Sequence, residues 1–417
     1  MHHFQYKGND LFCEDVAVKD IAARVGTPFY LYSHATLTRH MKAFTSAFAG
    51  VPHIVCYSIK ANSNLAVLKT FVNLGAGFDI VSGGELFRAK QVGCDPRKIV
   101  YSGVGKTEAE IEAALQADIL MFNVESPQEL ETIDRVAGRL GKKAGIAIRV
   151  NPDVDPQTHP YISTGMKKAK FGINIARALE DYRRAAAMPN LKVIGVDCHI
   201  GSQLTKLSPF VDAIKKVREL VETLQKEGFA IKYLDLGGGL GITYKDEEPP
   251  TPADYAEAII ETTKGLDVTL VFEPGRMMVG NAGMLIAKVL YVKEGEAKNF
   301  VIVDAAMNDL ARPALYGSYQ GIQAVDRSTA ATMVADVVGP ICESGDFLAQ
   351  DREMTAFRQD DLLAVASAGA YGFTMSSNYN SRTRTPEVMV KGDQVLVVRQ
   401  RETYDDLIRG EVIPEGL

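Results

Sequence analysis

His53-Ile54-Val55-Cys56-Tyr57-Ser58-Ile59-Lys60-Ala61-Asn62 is the stretch from which the fold is read. Its first residues form a short apolar, β-branched run of the kind that makes a buried strand, and the amphipathic segment 63–74 follows. Lys60 therefore stands at the carboxyl end of a strand, where a lysine is ordinarily a solvated loop residue. The same unit then repeats. Runs at 53–58, 77–81, 98–102, 119–124, 144–150, 192–199, 232–236 and 268–272 alternate with helical patterns such as 84–91, 108–116, 128–140, 209–227 and 252–264. Strand-helix alternation predicts a parallel sheet with right-handed crossovers, and eight such units predict a closed (β/α)8 TIM-type barrel, hence an α/β fold class. A doubly wound open sheet is the competitor, but it calls for fewer strands and a phosphate fingerprint after the first.

That fingerprint is missing. Gly103-Val104-Gly105-Lys106-Thr107 resembles a P-loop but has Val100 where the pattern needs glycine, and Gly237-Gly238-Gly239-Leu240-Gly241-Ile242 lacks the last glycine of a dinucleotide motif. Outside the barrel the rhythm changes. Segments 284–292, 300–304, 332–338, 362–366 and 388–399 read as strands with turns such as Lys391-Gly392-Asp393 between them, an all-β carboxyl-terminal domain. Residues 1–33, with strand-like pieces and a helix near 18–25, cannot close a core alone and are expected to join it. The expected division is a barrel at 34–280 and a β-sandwich or β-barrel domain at 1–33 and 281–417. The stretch 153–172, with His159, Thr164 and Lys170, interrupts the barrel rhythm and reads as a lid or a static elaboration.

With 46 basic and 52 acidic side chains the 417-residue chain carries a net charge of -6, which argues against nucleic acid as a partner. No apolar run spans a bilayer, so no membrane is expected. Cys13, Cys56, Cys94, Cys198 and Cys342 are odd in number, scattered and without a CxxC pair; reduced thiols, no metal site and a cytoplasmic location are the expectation.

Active sites of such barrels form at the carboxyl ends of the strands. There the chain places Lys60, Asp79 with Ser82, Asn123 with Glu125, Arg149 with Asn151, His199 with Ser202, Gly237 to Gly239, and Glu273-Pro274-Gly275-Arg276. This set suits a cofactor with an aldehyde and a phosphate. Lys60, partly desolvated and near other cations, is an amine able to form a Schiff base. The Gly237-Gly238-Gly239 and Gly275-Arg276 backbones offer N–H groups to a phosphate. His199 offers a flat face for an aromatic ring, and Glu273 a carboxylate for a pyridinium nitrogen. Each also has a plainer reading as a core histidine, a tight turn or a Pro-Gly loop.

Five motifs, Tyr57-Ser58-Ile59-Lys60-Ala61-Asn62, His199-Ile200-Gly201-Ser202-Gln203, Gly237-Gly238-Gly239, Glu273-Pro274-Gly275-Arg276 and Cys342-Glu343-Ser344-Gly345-Asp346, resemble in order the alanine-racemase-like (fold type III) pyridoxal-phosphate decarboxylases. Within that family the resemblance is to enzymes that decarboxylate meso-2,6-diaminopimelate to L-lysine, the last step of lysine synthesis. It implies pyridoxal 5′-phosphate as a Schiff base on Lys60, Glu273 on its ring nitrogen, and its phosphate on Gly239, Gly275, Arg276 and Tyr371, with Ser202 and Asp79 assisting. It further implies a homodimer with active sites at the subunit interface, and assigns Arg276, Arg312, Tyr316, Glu343 and Tyr371 to a small-molecule substrate. Cys342, contributed by the second subunit, is implied as the proton donor to the α-carbon; from the residues alone the favoured reading is a small inert hydrophobe. Two arginines and a glutamate suit the unreacting zwitterionic end of that substrate. Related decarboxylases of arginine, ornithine or carboxynorspermidine are the alternative. A racemase would place arginine where Glu273 stands, and a non-catalytic cofactor carrier would have no use for the β domain.

Overall fold

The structure, a computed structural model of the 417-residue chain, describes residues 2–155 and 170–417. Most of the 153–172 interruption, including His159 and Thr164, falls at 156–169, outside the described residues. The chain divides into two compact units: Thr38–Thr243 with Glu247–Met278, and Met1–Leu37 with Tyr244–Asp246 and Val279–Leu417.

The first unit is a closed barrel of eight parallel strands. They are β1 (His53–Ser58), β2 (Gly77–Ile80), β3 (Ile99–Tyr101), β4 (Met121–Val124), β5 (Ala144–Asn151), β6 (Leu191–Asp197), β7 (Tyr233–Asp235) and β8 (Thr269–Phe272). Each pairs with the next, and β8 returns to β1 with Leu270 opposite His53. The expected (β/α)8 barrel is thus present. The intervening helices start where the sequence provides caps. Thr107 and Glu110 form a capping box before Glu108–Gln116, as do Thr251 and Asp254 before Pro252–Thr263. Each such cap contributes about 1 kcal/mol. Helix Pro127–Arg139 buries Leu130, Ile133, Val136 and Ala137, one stripe at helical spacing.

Residues at alternate positions of a strand share a face, and this alternation builds the barrel interior in two levels. Cys56, Val100, Met121, Ala147 and Val271 pack in one apolar cluster. Two residues further along each of their strands come Ser58, Ser102, Asn123, Arg149 and Glu273; Asp79, Asp197 and Asp235 complete the set from β2, β6 and β7, and all eight side chains are buried. Every strand thus delivers one polar residue to the carboxyl-end level.

The second unit is the expected β domain. Its central strand Gly283–Lys293 pairs antiparallel with Phe29–Ser33, Phe300–Val303 and Leu362–Val365. Phe29–Ser33, buried along its whole length, also lies parallel to Glu387–Lys391, so the end of the amino-terminal segment joins this sheet, while Phe4–Lys7, Asp10–Cys13 and Val16–Ala17 pair in a small sheet of their own in the same unit. The expected strand at 388–399 is a hairpin, Glu387–Lys391 and Gln394–Arg399, turned at Gly392. Among the described residues no helix is long and apolar enough to cross a membrane.

Candidate active site

Lys60 lies in the single 3-10 turn that follows β1, and its Nζ donates to Asp79 Oδ2 at 2.5 Å. The lysine side chain is 38% exposed and the aspartate fully buried, so the amine is anchored on a carboxyl that solvent does not reach. Its closest charged partner is a carboxylate, where the sequence suggested cations. Ser58 Oγ sits 2.8 Å from the same Oδ2 and 2.9 Å from the Glu273 carbonyl oxygen, linking the lysine to the loop after β8.

Glu273 is the centre of the polar level. Ser102 Oγ donates to its Oε1 at 3.0 Å and Asn123 Nδ2 lies 3.2 Å from the same oxygen. Burial, then Asp79, push its carboxyl up to about 7, while Lys60, Arg149 and the Ser102 hydrogen bond pull the other way. Burial and the neighbouring Glu273 likewise raise Asp197 and Asp235 well above the usual carboxylate range. Four buried carboxyls thus face one guanidinium, Arg149, itself paired with Glu125 at 2.8 Å. Carboxyls raised in this way hold protons while only Lys60 and Arg149 balance them, and a cationic heterocycle set among them would draw the nearest one toward its anion.

Past β6, His199 accepts the Gly238 N–H on Nδ1 at 3.1 Å, which places its proton on Nε2. Burial, then Arg149 and Lys60, hold the ring well below its ordinary value, so it is neutral. The glycines beside it are sterically required. A Cβ on Gly237 would lie 2.4 Å from His199 Nδ1, and one on Gly238 would lie 2.2 Å from the Glu273 carbonyl oxygen. Gly238→Ala is therefore expected to destabilise the chain by about 1–3 kcal/mol, read as a lower urea midpoint; an unchanged midpoint would mean the two loops separate freely. Gly239 accepts Leu204 N–H at 2.9 Å, Pro274 O accepts Ser58 N–H at 3.1 Å, and Gly275 O accepts Met278 N–H at 3.0 Å. Arg276, buried, donates from Nη2 to Ser202 Oγ at 3.0 Å. The barrel mouth therefore brings together Lys60, Asp79, His199, Ser202, Gly237 to Gly239 and Glu273 to Arg276.

The remaining expected residues lie in the β unit. Arg312 is buried at the start of the short helix Arg312–Tyr316, its guanidinium 5.3 Å from the Tyr244 ring and 5.7 Å from the Tyr316 ring. Arg312 is thus an enclosed cation. Cys342 and Glu343 are exposed on a turn shaped by buried Asp346, which accepts the Met307 and Ile341 N–H groups, both at 2.7 Å. Cys342 N–H donates to Asn380 Oδ1 at 2.9 Å. Tyr371 adopts a left-handed backbone, φ 55°.

Sequence reasoning overlooked Ser58, Ser102, Asp197 and Asp235 as parts of the site. The available signal was a polar residue two positions beyond an apolar one at the end of a buried run. Lys106 of the false P-loop is a buried structural cation, donating to Glu129 at 2.7 Å and to the Gly103 and Asn123 carbonyls, both at 2.8 Å.

Residues 34–280 match the family model described as "Pyridoxal-dependent decarboxylase, pyridoxal binding domain". The chain is 56% identical to the diaminopimelate decarboxylase of Pseudomonas aeruginosa over 99% of both chains. To that of Vibrio cholerae it is 53% identical over the full length of both. Among solved structures it resembles diaminopimelate decarboxylase from Helicobacter pylori complexed with L-lysine, at 43% identity and TM-score 0.91, covering 94% of this chain and 98% of the other. The family model and full-length relatives agree with the geometry of the barrel mouth: the chain belongs to the family of pyridoxal-dependent decarboxylases.

Proposed function

We propose that this chain decarboxylates meso-2,6-diaminopimelate to L-lysine with pyridoxal 5′-phosphate joined to Lys60. The observation that carries the reading is the path from Lys60 through Asp79 and Ser58 to the Glu273 carbonyl oxygen, which ties the strand end bearing the amine to the strand end bearing the buried Glu273 carboxyl. The crowded glycine turn and the surplus of buried carboxyls fit a phosphorylated, cationic ring. When bound, the cofactor supplies an electron sink for the pair left by departing carbon dioxide.

In this reading Lys60 Nζ would hold the cofactor covalently and Asp79 would orient that nitrogen. Glu273 would pair with the ring nitrogen, and neutral His199 would support the ring. The phosphate would be held by backbone N–H groups of Gly239, Gly275 and Arg276 and by the hydroxyls of Ser202 and Tyr371, in a turn shaped by Pro274 and by Gly237 and Gly238, whose own N–H groups donate to Asp235 and His199. Arg276 and Arg312 pair with the distal carboxylate, Glu343 with the distal ammonium, and Tyr316 and Tyr371 line the substrate. Cys342 Sγ would supply the proton that replaces the lost carboxyl group. It is contributed by a second copy of the chain, so the working form is a homodimer with its active sites at the subunit interface, and its place is the cytoplasm. Lysine bound to the Helicobacter pylori relative is the product this reaction would release.

The test is carbon dioxide release from meso-diaminopimelate, ornithine and arginine. A diamine without the distal carboxylate leaves two arginines without their anion, and a site built for such contacts discriminates by on the order of 10⁴-fold in kcat/KM. Comparable rates on all three substrates would overturn the assignment.

A further inference from the structure

Glu273 is held from the opposite wall of the barrel. In the closed order of eight strands, β4 stands diametrically across from β8. Asn123 on β4 extends its amide to both carboxylates of the far wall, 3.0 Å from Asp235 Oδ2 and 3.2 Å from Glu273 Oε1, and lies 3.2 Å from Ser102 Oγ. Ser102 donates to the same Oε1 at 3.0 Å. Among the described residues both donors fall on Oε1. Asn123 Oδ1 is buried and accepts no hydrogen bond among the described residues. Turning the amide over would set that oxygen against two carboxylates, so the network tolerates an unsatisfied carbonyl in order to present N–H groups to both. The end of β4 is itself fixed, since buried Lys106 donates to the Asn123 carbonyl at 2.8 Å.

We propose that Ser102 and Asn123 are positioning residues for Glu273: their donors on Oε1 keep the carboxyl ionised and in place, so that Oε2 is left for the cofactor's ring nitrogen. The inference rests on the reading in which Glu273 holds that nitrogen. The charged and titratable groups that bear on this carboxyl are Asp79, Asp197, Asp235 and Cys56 on one side of the balance and Lys60 and Arg149 on the other. The carboxyl already stands raised to about 7, with burial the largest cause. Removing donors that favour its anion moves the shared proton from the ring nitrogen toward the carboxyl, and the ring loses the charge that makes it electron-withdrawing.

The experiment uses the full chain loaded with pyridoxine 5′-phosphate, which has the ring nitrogen and the phosphate but no aldehyde, so that the Lys60 bond plays no part. The ultraviolet spectrum of the bound ring reports whether its nitrogen is protonated. In Ser102→Ala and Asn123→Ala the ratio of protonated to neutral ring at pH 7.5 is expected to fall about tenfold, with Ser102→Thr restoring it. With the natural cofactor, kcat is expected to fall about tenfold while KM for the substrate changes less than about twofold. Should Asn123→Ala fail to fold, Ser102→Ala carries the same test. If Glu273→Gln abolishes the protonated-ring spectrum but the Ser102 and Asn123 variants keep it, the inference is overturned and the reading of Glu273 stands. If Glu273→Gln also leaves the spectrum unchanged, the reading of Glu273 itself fails.

Discussion

Lys60→Ala is expected to abolish turnover, by about 10³-fold or more, and to erase the absorbance of the lysine-bound cofactor from the purified protein. The amine contributes more than charge, and Lys60→Arg separates the two contributions. Arginine reaches for the same Asp79 carboxylate, now 2.5 Å from the lysine nitrogen, and keeps the ion pair. It cannot make a stable carbon–nitrogen double bond with an aldehyde, so the arginine variant should be as inactive as the alanine one while remaining better folded. Activity in Lys60→Arg near that of the parent chain would reduce the lysine to an electrostatic partner of Asp79.

Glu273→Gln is expected to lower kcat by about 10- to 100-fold, because a neutral amide accepts a hydrogen bond from a pyridinium without stabilising its charge. Turnover equal to the parent would show that the charge is irrelevant. The same substitution alters the acid–base behaviour of the cofactor-free chain. The folded carboxyl is raised from its ordinary 4.5 to about 7. A raised carboxyl favours folding while it is protonated, and that contribution fades as pH climbs from about 4.5 through 7. The parent chain should therefore lose stability relative to Glu273→Gln between pH 5 and pH 7.5. Urea midpoints of the two chains at both values give the comparison; a constant difference would mean that another group titrates in this range.

The barrel was legible because its strands are short apolar runs at even intervals, and the mouth was legible because barrel chemistry gathers where those runs end. Lys60, His199 and Glu273 each stand within two residues of a strand terminus. What stayed hidden follows from the same physics. Asp197 and Asp235 fall inside the runs read as strands at 192–199 and 232–236, and a lone acidic residue near the end of a strand reads as one that faces water. Only the closure of the cylinder turns them inward. Helix Ile175–Ala187 buries Ala178, Asp181, Tyr182 and Ala185, a face too weakly apolar to register as a stripe. Strand Phe347–Thr355 carries Gln350, Asp351, Arg352 and Glu353 in succession, which masks its alternation; it lies at the edge of its sheet, where one side stays open to water. Arg312 could not be told from a surface residue until Tyr244, from a distant part of the chain, was seen over its guanidinium.

Phe29–Ser33 lies between Gly283–Lys293 and Glu387–Lys391. On a ribosome, this aromatic-rich ribbon emerges before any of the chain it pairs with, and at ordinary elongation rates residue 387 follows residue 33 by roughly 20–70 s. All eight barrel strands leave the exit tunnel within that interval, so the cylinder can close while the ribbon is still unmatched. A nascent chain exposed outside the tunnel only as far as Val279 would carry a finished cylinder and an unmatched leader, the species that a holdase chaperone would capture.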